Sequence, residues 1–280
     1  MLINSHVILA WLQGALRLPK TPKGQRLDLS KFELTWSDEF EELNRDAWNP
    51  MPYFGDGPER NKGGVEYTAL ARVEDGMLHI PSVYSEQGIA GGPPGYYGAW
   101  ITTSHSFRQK FGYFEARCKL PKGVGLWGAF WMHNEQVNKD GSAARDGTEI
   151  DVFESPFYRH RLPLLKNMVS TNLHYGGYFN KTWRMKNIGK FRVKEPYDTF
   201  HTYGVEWNAN EYIFYIDGIE SGRSSFGGVS QSEQHLLLSV EHNTKPPDSW
   251  VWAGDARKNK PGDMTDFVVD YVRAYQYKEA

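Results

Sequence analysis

Gly112-Tyr113-Phe114-Glu115-Ala116-Arg117-Cys118-Lys119-Leu120 alternates with a period of two, with Phe114, Ala116, Cys118 and Leu120 on one side and Glu115, Arg117 and Lys119 on the other. Successive side chains of a strand point to opposite faces, so this stretch is expected to be half-buried β-structure. The pattern recurs outward from it. Tyr212 to Ile216 runs into Asp217-Gly218, and Val73-Glu74 meets Met77 through Asp75-Gly76. Asp-Gly readily supplies the two positive φ values of a tight hairpin. Phe267 to Tyr275 gives a late strand. Sustained helical periodicity is missing throughout, which makes the expected fold class all-β.

Two stretches rich in Gly and Pro, Pro50 to Gly64 and Gln87 to Gly98, are expected to be loops, as is Thr244 to Gly262, which carries Trp250 and Trp252. Long loops in compact β domains tend to be functional. Strand patterns resume on both sides of each, so one domain over residues 34–280 is expected, after an arm or leader remnant over 1–33. Met1 to Leu18 is apolar but has neither a basic leader nor a small-residue cleavage pattern. Gln13, Arg17 and Lys20 interrupt it well short of a membrane span.

Composition narrows the function. With 32 basic and 34 acidic residues and a formal charge of -2, the chain has no electrostatic footprint for nucleic acid or an anionic membrane. Ten Trp and 16 Tyr exceed the needs of a core, and their amphipathic rings suit the faces of sugars. The single Cys118 excludes an intrachain disulfide and a thiolate metal cluster, and its place on the apolar side of its strand predicts an inert buried thiol.

The chemistry concentrates in Gly147-Thr148-Glu149-Ile150-Asp151-Val152-Phe153-Glu154. Ile150, Val152 and Phe153 favour a strand. On a regular strand Glu149 and Asp151 share a face, whereas Glu154, five positions from Glu149, points the other way. A β-bulge at Val152-Phe153 restores the parity and gathers the three acids on one face. Like charges repel, and neither Lys nor Arg occurs from Thr148 to Phe157, so a merely solvated face is a poor explanation. Two converging glutamates fit retaining glycoside hydrolysis, in which one carboxylate attacks the anomeric carbon and a second carboxylic acid, about 5 to 5.5 Å away, protonates the leaving oxygen. Asp151 between them helps to separate their pKa values.

This run resembles the catalytic signature of glycoside hydrolase family 16, in the bulged form of its laminarinase-like, agarase and carrageenase branches. The resemblance continues in family order through Trp36-Ser37-Asp38-Glu39-Phe40, Phe111 to Arg117, Gly125-Leu126-Trp127-Gly128-Ala129-Phe130-Trp131, Phe200 to Trp207 with Tyr215-Ile216-Asp217-Gly218, and Val269-Asp270-Tyr271-Val272-Arg273. It implies a concanavalin-like β-sandwich jelly roll with an open cleft. It places the nucleophile on Glu149, the acid/base on Glu154 and the assisting carboxylate on Asp151. It implies that Trp127 and Trp131 wall the cleft, although a core role is as good an explanation for either. Asn172 and His174 share a face of Thr171-Asn172-Leu173-His174, where the family often places a His near the nucleophile. Trp250 is a further candidate substrate contact. Asp270 matches a position that holds a structural calcium in many members; catalysis requires no cofactor. A polysaccharide substrate, a monomeric state and a secreted, cell-surface or periplasmic location are expected.

Departures from the family bear on the substrate. Gly128 stands where laminarinase-like enzymes usually have proline, Arg60 to Tyr67 replaces an Asn-rich motif, and His242-Asn243-Thr244-Lys245 replaces a Gly-Gly ending. Arg145, Arg159, His160, Arg161 and Lys166 flank the acidic run, and Arg suits sulfate or carboxylate. The expected substrate is a β-1,3- or mixed β-1,3/1,4-glucan, with a galactan or anionic glycan, or transglycosylation, as alternatives. A non-catalytic glycan-binding module is the reading from another class.

Overall fold

The computed structural model describes residues 18–51, 56–57, 63–160, 162–178, 180–244 and 253–279. Alternation of the kind seen at Gly112–Lys119 builds two sheets that share one core. Numbered along the chain, the outer eight-stranded sheet runs β15 (Ile219–Ser224), β14 (Tyr212–Ile216), β13 (His201–Trp207), β8 (Gly112–Lys119), β17 (Phe267–Tyr277), β4 (Met77–Ile80) and β3 (Arg72–Glu74), with β1 (Phe32–Asp38) also pairing with β17. The second sheet has six strands in the order β12 (Arg184–Arg192), β11 (Met168–Tyr175), β10 (Glu149–Glu154), β9 (Leu126–His133), β16 (His235–His242) and β7 (Trp100–Thr102). The small third sheet is β2 (Gly64–Glu66), β6 (Gly95–Gly98) and β5 (Val83–Ser85). The architecture is the all-β jelly roll.

Alternate residues of both large sheets interdigitate between them. Phe114, Ala116 and Cys118 of β8 and Tyr203 and Val205 of β13 meet Phe130, Met132, Ile150, Phe153, Leu236 and Leu238 from the six-stranded sheet, all fully buried. The Phe153 ring lies 4.3 Å from that of Tyr203 and 6.1 Å from that of Phe267, centroid to centroid. Each such side chain contributes about 1.5–3 kcal/mol by leaving water. Burial pushes the Cys118 thiol well above its ordinary pKa, so it stays a neutral core group.

The two Asp-Gly turns form as expected. Asp75 and Gly76 have φ of 53° and 69°, Asp217 and Gly218 51° and 70°, closing β3–β4 and β14–β15. Gln87 to Gly98 is not a loop throughout, because Gly95–Gly98 forms β6 and its Tyr96 and Tyr97 pair with Tyr84 and Val83. Ahead of β1, the arm ties the two sheets together at one side: Lys20 bridges to Phe191 of β12, while Arg26 bridges to Ile219 of β15. Among the described residues no helix is long and apolar enough to cross a membrane.

Candidate active site

β10 lies inside the six-stranded sheet, and its pairing fixes where its side chains go. Ile150 stands opposite Met132 and Asp151 opposite Trp131, but the next pair is Phe153 with Phe130, followed by Glu154 with Ala129. Val152 is the extra residue of a β-bulge. On the other side Asp151 faces Asn172 and Glu154 faces Ser170, so three steps along β10 match two along β11. Ile150, Val152 and Phe153 all enter the core. Glu149, Asp151 and Glu154 are thereby left on the opposite, outward face, where the parity argument requires them.

Neighbouring strands complete that face. Trp131 packs there with Met51, Trp100, Ala129 and Leu237, and its indole N–H donates to Ser239 Oγ at 3.1 Å. Trp127, four residues earlier on β9, stands opposite Glu241 of β16. From β11, Asn172 Nδ2 donates to Glu154 Oε2 at 2.5 Å. Asn187 of β12 holds Asn172 in turn, donating to its Oδ1 at 2.8 Å. His174 Nε2 lies 3.2 Å from Asp151 Oδ2 and 3.8 Å from Glu149 Oε1. Tyr178, just past β11, donates its hydroxyl proton to Glu149 Oε2.

The electrostatics follow from burial. Glu149 and Asp151 side chains are only 13% and 7% exposed. Withdrawal from water pushes Glu149 up to about 7, with the negative charges of Asp151 and Glu241 adding to the rise and His174 and Tyr178 opposing it. Burial, then Glu241, raises Asp151 well above the ordinary carboxylate range. The cluster therefore keeps at least one proton near neutrality, because separate ionisation of every acid in so dry a place costs too much.

The candidates within the described residues each have a definite place. Glu149, Asp151, Glu154, Trp127, Trp131, Asn172 and His174 come together on this face. Trp127 and Trp131 are 3% and 7% exposed, so both rings are mostly packed. Trp250 and Arg161 lie outside the described residues. Asp270, the candidate calcium ligand, is on β17 of the outer sheet, where its Oδ2 accepts from Arg117 Nη1 at 2.5 Å. The guanidinium already supplies the countercharge, so this donor set does not fit a calcium ion through that oxygen. Of the flanking bases, Arg159 covers the Tyr158 ring and His160 is buried, its Nδ1 accepting from the Leu162 amide.

Gly128, His242 and Asn243 have local physical causes, while Arg60 to Lys62 and Lys245 lie outside the described residues. Gly128 N–H donates to Ser155 Oγ at 3.0 Å, a bond that proline has no proton to make, and a Cβ at Gly128 would meet Pro121 Cδ at 2.8 Å. His242 Nε2 pairs with Ser82 Oγ at 2.6 Å, and Asn243 donates its amide N–H to Gly125 O at 2.6 Å. These two residues pin the small third sheet and the start of β9 to the end of β16.

Tyr178, Glu241, Ser239 and Trp100 are site-face residues that the sequence reading passed over. Leu237, Ser239 and Glu241 alternate with the core residues Leu236, Leu238 and Val240, a signal that was present. Tyr178 follows Gly176-Gly177, a turn whose direction sequence does not disclose.

Residues 32–277 match the family model described as "Beta-porphyranase A-D, GH16 domain". The chain belongs to glycoside hydrolase family 16. It is an endo-acting glycosidase that acts on polysaccharide with retention. It is 25% identical over 265 residues to the β-glucanase of Rhodothermus marinus, covering 89% of this chain and 86% of that protein. Identity to glucan endo-1,3-β-glucosidase A1 of Niallia circulans is 30% over 277 residues, 89% of this chain but 38% of that longer protein. κ-Carrageenase of Pseudoalteromonas carrageenovora is 28% identical over 198 residues, 65% of this chain and 47% of that one. Among solved structures, the fold matches SCLam, described as a non-specific endo-β-1,3(4)-glucanase from family GH16, with a TM-score of 0.72 at 23% identity, covering 94% of this chain and 98% of that one.

Proposed function

We propose that this family-16 enzyme hydrolyses a β-1,3- or mixed β-1,3/1,4-glucan by double displacement, with Glu149 as nucleophile, Glu154 as acid/base and Asp151 as the assisting carboxylate. The observation that carries the roles is the Val152 bulge, which puts three acids of one strand on one face. Glu149 attacks the anomeric carbon in its ionised form. Glu154 gives its proton to the leaving oxygen and later takes one from the water that frees the sugar. Burial and the charge of Glu241 push Asp151 well above the ordinary carboxylate range, so Asp151 and Glu149 titrate as a pair in which the ionisation of one opposes that of the other. Asn172 donates to Glu154 once its proton has gone, and His174 offers Nε2 to Asp151 and Glu149. Trp131 and Trp127 present apolar edges to sugar rings.

The β-glucan reading rests on relatives named β-glucanase and endo-1,3-β-glucosidase that each align with 89% of the chain. A second reading, a sulfated galactan, draws support from the porphyranase description of the matching domain model. Incubation with laminarin, barley β-glucan, lichenan, agarose, porphyran and κ-carrageenan, followed by sizing of the products, decides between them. Short oligosaccharides from laminarin or barley β-glucan alone uphold the first reading, and release from porphyran alone replaces it with the second. Glycan binding without any product would mark a recognition module. A structural calcium at Asp270 remains a separate proposal, and secretion is proposed on the nature of the substrate.

A further inference from the structure

Glu149 is enclosed by several elements: Asp151 beside it on β10, His174 on β11, Glu241 on β16, and the turn after β11 that carries Tyr178 and Trp183. That turn is built to a tight specification. Gly176 and Gly177 have φ of 89° and 86°, in the left-handed region. A Cβ at Gly177 would come within 2.3 Å of Asn180 Nδ2 and 2.7 Å of Asp140 Oδ1, and one at Gly176 within 2.5 Å of the Thr182 carbonyl oxygen. Gly177 N–H donates to Val137 O at 2.8 Å, Thr182 Oγ1 donates to Gly176 O at 2.6 Å, and Asn180 Oδ1 accepts from the amides of Thr182 and Trp183, each at 2.8 Å. The chain reverses here and brings Tyr178 back over the sheet.

The ring that arrives is held on both sides. Tyr178 is stacked on buried His133, with centroids 6.5 Å apart and planes 8° apart, and its other neighbour is Trp183 at 6.4 Å. Trp183 stacks on His174 at 5.7 Å, so the residues that meet Glu149 and Asp151 share one aromatic support. Burial holds His133 down at about 4, which keeps it neutral behind the phenol. The hydroxyl proton of Tyr178 goes to Glu149 Oε2, while Oε1 is the oxygen nearer His174.

We propose that Tyr178 is a positioning residue for the nucleophile: it ties down Glu149 Oε2, favours the carboxylate over the acid, and leaves Oε1 as the oxygen that attacks the sugar. The inference rests on the nucleophile assignment made above. A phenol that donates to the ionised form stabilises the attacking species, and it does so in competition with the burial, Asp151 and Glu241, which all favour the proton. When an Oε1 electron pair forms the bond to the anomeric carbon, the bond from that carbon to the leaving oxygen breaks, its electron pair stays on that oxygen, which takes the Glu154 proton, and the Tyr178 proton stays on the phenol as the donor to the ester carbonyl oxygen.

The test is the pH profile of kcat/KM for Tyr178→Phe, measured on barley β-glucan, or on porphyran if that is what the wild-type enzyme cleaves. The expected result is a fall of roughly 10- to 100-fold in kcat/KM, carried by kcat, with the acid limb moved to higher pH because the Glu149 proton is now harder to lose. Incorporation of 3-fluorotyrosine at 178, a stronger donor of the same shape, moves the limb the other way and serves if Tyr178→Phe does not fold. An unmoved limb in both variants, or a change in KM alone, overturns the proposal. Glu149→Gln, measured beside them, separates the two claims. Its retention of turnover removes the nucleophile assignment itself, whereas an inactive Glu149→Gln with a wild-type profile for Tyr178→Phe removes only the role of the tyrosine.

Discussion

Asp151 and Trp131 stand directly opposite each other on β10 and β9, and one step further on Phe153 faces Phe130, with Val152 left over between them. From Ile150 to Glu154 there are four steps on β10 against three, Met132 to Ala129, on β9. The bulge thus corrects parity without lengthening the distance between the acids along the sheet. Deletion of Val152 would give three steps against three, with Ile150 and Phe153 still inward and all three acids still outward. We expect this deletion to retain measurable hydrolysis, within about 10³-fold of wild type, at a stability cost of roughly 1–3 kcal/mol for the lost core side chain. Activity as low as that of Glu149→Gln would show that the bulge itself shapes the site.

Glu149→Gln is expected to abolish turnover by at least about 10⁴-fold and to stabilise the fold above neutral pH. The sign follows from the raised acid: between its ordinary value of 4.5 and about 7, the folded protein holds a proton that the unfolded chain has released, so stability falls as pH rises through that window. Glutamine removes this loss, which amounts to about 3 kcal/mol. Urea melts of both proteins should coincide near pH 4.5 and separate by pH 8, with the variant the more stable.

Glu241→Gln tests the second source of the shift. Glu241 raises both Glu149 and Asp151 by charge alone, so its neutralisation should move the acid limb of kcat/KM to lower pH, by less than about one pH unit. A limb that stays in place would mean that solvent screens this carboxylate from the pair.

Phe153→Ala should cost about 3–5 kcal/mol, since its ring is fully buried against Tyr203 and Phe267. Because Phe153 is also the residue that directs Glu154 outward, we expect loss of activity at temperatures below the melting transition. Thermal melts and initial rates measured on the same sample separate the two effects.

Chelation examines Asp270. Its ion pair with Arg117 is partly exposed, and EDTA is expected to leave turnover unchanged. A fall of several degrees in Tm on chelation would show that a calcium ion uses the remaining oxygen.

Much of this was legible in the residues. The alternation at Gly112–Lys119, the Asp-Gly turns and the misplaced parity of Glu154 each encode a local rule, and local rules are what a single sequence displays. β6 was hidden because Gly95 and Gly98 bracket only two strand-forming tyrosines, and its pairing comes from β2 and β5 elsewhere in the chain. Tyr178 was hidden for a related reason: nothing in Gly176-Gly177 states which way a two-glycine turn sends the next ring. Asp270 was assigned by resemblance, and its neighbour Arg117 became visible only when β8 and β17 were laid side by side.

β17 lies between β8 and the β4 and β1 pairs, in the middle of the outer sheet rather than at its edge. Residues 267–277 follow every other strand of this sheet in the chain, and they are the piece that joins one half of it to the other. Truncation within these eleven residues should yield aggregate rather than a smaller domain, because β8 and β4 would keep unpaired edges.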